Sequence, residues 1–159
     1  MNFLGTYQKQ IDLIEANLDF TNLQDANLFF ANLKNAQLKF ANLRGANLLF
    51  VNLESANLRS AILENAYLKF ANIENAFLGG ANLINVNFEF SNLQGANFEY
   101  ALLRNANLGY TNLQGANFHA TFLYKTIFTG AQNIDTTKFL NTKYQKDAID
   151  LEEAFAAIE

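Results

Sequence analysis

A strict period of five runs through this chain. Residues 16–60 read ANLDF TNLQD ANLFF ANLKN AQLKF ANLRG ANLLF VNLES ANLRS. An apolar residue, here position i, returns at every fifth place from Leu13, Leu18 and Leu23 to Leu123 and Phe128, about 24 repeats without an insertion. Position i is always Leu, Ile or Phe in that run. Position i−2 is mostly Ala, replaced by small or β-branched residues such as Thr21, Val51, Ser91 and Thr126. Position i−1 is usually Asn, and positions i+1 and i+2 vary.

Five matches neither the 3.6-residue period of a helix nor the two-residue period of a strand. A regular helix would spread position i around its whole circumference, so the chain must turn once per repeat. Residues i−2 and i then form one inward-facing side, and i+1 and i+2 form the corner. Four corners close a square coil of 20 residues. Stacked through parallel main-chain hydrogen bonds about 4.8 Å apart, six coils make a rod roughly 29 Å tall. The usual hand of parallel crossovers makes the coil right-handed.

The pattern resembles the pentapeptide-repeat family, whose consensus is A-(D/N)-L-x-x, over residues 13 to about 130. The resemblance implies an all-β solenoid, the right-handed quadrilateral β-helix, of about six square coils. The expected organisation is an N-terminal cap segment at 1–12, the β-helix at 13–130, and a capping segment at 131–159 with a helix at about 143–158.

Residues 20 apart should stack. At i+2 one column reads Phe30, Phe50, Phe70, Phe90, Tyr110, and the opposite one Phe20, Phe40, Ser60, Gly80, Tyr100. The columns between are rich in Gly, Asn and Asp, which tolerate positive φ. Two alternating corner types are therefore expected: type II turns at the Gly/Asn corners, and wider turns with negative φ at Phe50, Phe70 and Phe90. The aromatic column is outward-facing. With Phe29 and Leu49 beside it, it forms a candidate interaction surface of Phe29, Phe30, Leu49, Phe50, Phe70, Phe90 and Tyr110; shielding of the coil edges by stacked rings is the other reading. At i+1, Asp19 should stand over Lys39, Lys34 over Glu54, Arg44 over Glu64 and Lys69 over Glu89, each pair contributing tenths of a kcal/mol.

A solenoid has two open ends that expose core and strand edges. Phe3, Leu4, Tyr7 and Ile11 are expected to cap the first coil. After AQNID, the segment NTKYQKDAIDLEEAFAAIE has helical spacing of Tyr144, Ala148, Leu151, Phe155 and Ile158, with Thr142 and Gln145 as a capping box. It is expected either to cover the last coil or to join two chains, around Tyr144, Leu151, Phe155 and Ile158.

Nothing in the sequence assembles chemistry. There is no Cys, hence no thiol nucleophile or Cys-ligated metal. His119 is the single histidine and has no partner constellation. The glycines are corners of the repeat rather than a phosphate cradle. No catalytic residue, metal or cofactor is expected. A net charge of −4 gives no footprint for nucleic acid or anionic membrane. No run approaches a membrane span, and MNFLGTYQKQ lacks the pattern of a signal peptide, so cytoplasmic residence is the expectation. The functional expectation is a non-enzymatic structural or protein-interaction scaffold, its partner a protein or a second copy, with no small-molecule substrate. The resemblance offers an alternative, since some family members mimic DNA and bind DNA gyrase. A mimic needs an acidic surface, whereas the acids here alternate with Lys34, Lys39, Arg44, Arg59, Lys69 and Arg104.

Overall fold

The computed structural model describes residues 10–134, 137–143 and 147–151. Each repeat contributes one rung, at i−1, to a parallel ladder that starts at Asp12–Asn32 and climbs to Ile127–Ile149. Partners are 20 residues apart up to Asn112–Gln132, so four sides make each coil.

A repeat with Asn at i−1 leaves no main-chain donor idle. In the repeat centred on Leu33, the Ala36 N–H donates to the Leu33 carbonyl and closes the corner. The N–H groups of Leu33 and Asn35 donate to Asn52 and Glu54 of the next coil, and that of Asn32 donates to Ile11 of the previous one. The fifth donor, at i+1, is met by the Asn side chain: Lys34 N–H donates to Asn32 Oδ1 at 3.3 Å. This is an Asx turn, the local bond at which Asn excels. The same Asn amides also bond along the stack, as in Asn72 to Asn52 (3.3 Å), Asn92 to Asn72 (3.2 Å) and Asn112 to Asn92 (3.1 Å). Asn recurs at i−1 because it both closes the corner and bonds coil to coil.

Inside, Ala at i−2 and Leu or Phe at i are fully buried from about Ala31 upward. The hydroxyls that replace Ala are paired: Ser91 donates to Leu68, Thr121 to Phe98 and Thr126 to Leu103 carbonyl oxygens. Towards the C-terminal end the core shifts to Phe. Phe98 and Phe118 stack at 4.8 Å, and Phe139 stacks on Phe118 at 5.2 Å.

Two expectations fail. The corners do not alternate. Phe50, Phe70 and Phe90 have φ of 57°, 59° and 62°, matching Asn65, Asn85 and Asn105 at 60°, 58° and 56°. Each corner has the same pair of bonds to make. Phe70 N–H reaches the Glu89 carbonyl and Ala71 N–H the Leu68 carbonyl, as Asn65 N–H reaches Ile84 and Ala66 N–H reaches Leu63. A positive φ at the third turn residue is the type II signature. The ladder imposes it on Phe, at a cost of about 1–2 kcal/mol per residue.

The expected helix does not form at the described positions between 143 and 150, and 152–158 lie outside the described residues. Lys143 pairs with Phe122, and Ile149 with Ile127. The spacing widens from 20 to 21 at Asn117–Lys138 and to 22 at Ile127–Ile149, so the last coil is the same coil with extra residues. Thr142 Oγ1 donates to the Phe139 carbonyl. Open ladder groups on the coil below offer this stretch more than an isolated short helix can. Leu151 is helical and buried. Tyr144, Phe155 and Ile158, like Phe3, Leu4 and Tyr7, lie outside the described residues. Ile11 is exposed at the edge of the first coil.

Candidate functional site

The aromatic corner column forms as a continuous outward stack. Ring centroids are 4.9 Å apart for Phe30–Phe50 and Phe50–Phe70, 5.3 Å for Phe70–Phe90 and 5.0 Å for Phe90–Tyr110, with planes within 10° of parallel. The coil rise sets that spacing. Although each ring covers its neighbours, Phe30 remains 49% and Phe50 41% exposed, so stacking shields only part of the strip. Phe29 sets its edge against both Phe30 (4.8 Å) and Phe50 (6.0 Å), and Leu49 is half-buried beside them. At the upper end the Tyr110 ring lies over Gly130, where an added Cβ would sit 2.6 Å from it.

The strip has two halves. Lys69 Nζ lies 5.6 Å from the Phe70 ring and 5.5 Å from the Phe90 ring, and pairs with Glu89 at 2.7 Å. The upper half therefore carries a cation–π contact within an ion pair. The lower half, around Phe29, Phe30, Leu49 and Phe50, is purely apolar. Spacing alone places Phe30, Phe50, Phe70, Phe90 and Tyr110 in one column with Phe29 beside it; it does not place Lys69 across them.

Charges elsewhere pair coil to coil. Lys34–Glu54 at 2.9 Å and Arg44–Glu64 at 3.6 Å are ion pairs, as expected from their spacing. Asp19 instead accepts the Lys39 main-chain N–H at 2.7 Å. A shallow groove of about 420 Å³ opens where the last coil widens, lined by Glu99, Asn117, His119, Lys138, Phe139 and Leu140. Its His119 rests edge-on against Tyr100. Among the described residues no three His, Cys, Asp or Glu side chains gather to hold a metal. No helix among them is long and apolar enough to cross a membrane.

The period of five agrees with the comparisons. The family model for pentapeptide repeats matches in eight copies, at residues 21–59, 31–68, 61–99 and 96–132. The chain belongs to the pentapeptide-repeat family, and its fold is the right-handed quadrilateral β-helix of that family. Among solved structures it is similar to a pentapeptide repeat protein of the Arabidopsis thaliana thylakoid lumen: 25% identity, TM-score 0.55, covering 57% of this chain and 63% of that one. It is also similar to a trypsin-treated variant of QnrB1, a plasmid-mediated fluoroquinolone resistance protein: 20% identity, TM-score 0.53, covering 77% of this chain and 65% of that one. HetL of the cyanobacterium Nostoc sp. strain PCC 7120, a pentapeptide repeat protein involved in heterocyst differentiation regulation, matches at 26% identity and TM-score 0.49, over 83% of this chain and 71% of that one. No curated protein matches.

Proposed function

We propose that this protein is a non-enzymatic interaction scaffold that engages a protein partner through the aromatic strip, chiefly its lower half. The observation that supports this is the outward column of half-exposed rings, widened by Phe29 and Leu49 into an apolar patch. Contiguous exposed apolar surface of this kind often marks interfaces. The rigid ladder presents the rings already ordered, so little side-chain entropy is lost on binding. The gyrase-binding alternative draws on fold likeness alone. The acids Glu54, Glu64 and Glu89 are each paired with a base, which weighs against a continuous acidic stripe to replace phosphates.

Phe30→Asp with Phe50→Asp tests the reading. Asp accepts the left-handed corner better than Phe does, so the fold should survive by circular dichroism. The pair should abolish the partner complex, or a dimer if the partner is a second copy, by light scattering, because burying unpaired carboxylates is costly. A folded variant with unchanged assembly would leave the strip only its shielding role.

A further inference from the structure

An outward Asn at i−1 closes each corner and bonds to the coils on either side, and one face keeps it at every rung from Asn32 to Asn112. The face that carries Asn22, Asn42 and Asn82 does not. Its remaining rungs up to Phe122 are Ile62, Leu102 and Phe122, which are 40%, 36% and 37% exposed. Leu102 and Phe122 are paired on adjacent coils, with Tyr124 at the corner beyond. An aliphatic side chain in place of Asn gives up the Asx acceptor for the corner N–H, at Glu64 for Ile62 and at Arg104 for Leu102. It also interrupts the amide ladder. The replacements stay 36–40% exposed, so burial offsets only part of that loss. A departure from the local rule that the fold does not fully offset marks a candidate functional site.

The charge around this patch is mostly positive. Arg104 and Lys125 lie over the Tyr124 ring at 5.7 and 5.5 Å, and Lys143 is the rung above Phe122. Two described carboxylates lie close along the chain or ladder: Glu99, three residues before Leu102, and Asp147, whose main-chain carbonyl accepts from Lys125 N–H. Glu64, lower on the face, is already paired with Arg44. In a chain of net charge −4, cations outnumber carboxylates at this end of this face.

We propose that the Leu102–Phe122 face is a second docking surface, separate from the aromatic strip, which takes an extended acidic and apolar segment of a partner protein. Apolar side chains of the segment would cover Leu102 and Phe122. Its carboxylates would meet Arg104, Lys125 and Lys143, and the outward Arg104 N–H would add a main-chain donor. Complementary charge of this kind sets which segment is accepted.

Fluorescence anisotropy with two labelled peptides of about ten residues, long enough when extended to cross several coils, tests this. One alternates Glu and Leu, the other Lys and Leu. The parent protein should bind the acidic peptide at least about tenfold more tightly, less so as salt rises. Leu102→Asn with Phe122→Asn restores the repeat consensus. It should leave the melting temperature unchanged or raised, yet weaken the acidic peptide about tenfold or more. Phe30→Asp with Phe50→Asp should bind that peptide as the parent does. A parent without preference for the acidic peptide, whether it binds both or neither, overturns the proposal. So does full affinity in the consensus-restored variant, or loss of affinity in the strip variant.

Discussion

Asp19 stands in for a missing asparagine by accepting the main-chain N–H of Lys39, one coil above, at 2.7 Å. In most repeats that donor belongs to the Asn two residues earlier, but position 37 is Gln. Its longer side chain bonds the Asn35 carbonyl and accepts from Asn57. The two departures from the repeat therefore compensate each other. Asp19→Ala should cost about 1–2 kcal/mol in urea melts, the scale of a charge-assisted hydrogen bond at a half-buried site. With Gln37→Asn also present, the cost should fall below about 0.5 kcal/mol, since Asn would take the Lys39 N–H itself. Equal costs in both backgrounds would mean that Asp19 does not act through that bond.

Leu68 fills the core at 1% exposure, while Leu49 sits half-buried on the outside. Leu68→Ala should cost about 2–5 kcal/mol. Leu49→Ala should cost under about 1 kcal/mol. Similar costs in denaturant melts would contradict the inward and outward assignment.

Phe50 holds φ at 57°, so the usual preference for Ala over Gly should reverse there. Both Phe50→Gly and Phe50→Ala lose the stacks on Phe30 and Phe70. Only Ala retains the left-handed penalty. The Gly variant should be more stable by about 1 kcal/mol in thermal melts. An Ala variant at least as stable as the Gly variant would argue against a left-handed corner at this position.

Much of this architecture is legible in the period. The core positions, the ring column and three of the ion pairs follow from spacing alone, because parallel stacking turns a separation of 20 into contact. The corner conformation at Phe50 was not legible, since propensity argues for negative φ and the ladder outweighs it. The last coil was hidden because added residues put Lys138, Lys143 and Ile149 out of phase with the 20-residue spacing. The Leu102–Phe122 patch was missed for a different reason. Its signal lies in the exceptions at i−1, which a consensus passes over.

The central claim is that a partner sits on the aromatic strip. A photo-crosslinking amino acid placed at Phe50, and separately at Gln114 beside the all-Asn face, reads this most directly. Position 50 should yield a discrete crosslinked protein in native extract, lost when Phe30→Asp is added. Position 114, exposed but flanked by Asn112 and Gly115, should yield none. The same adduct from both positions, or an adduct at 50 that survives Phe30→Asp, would contradict the account.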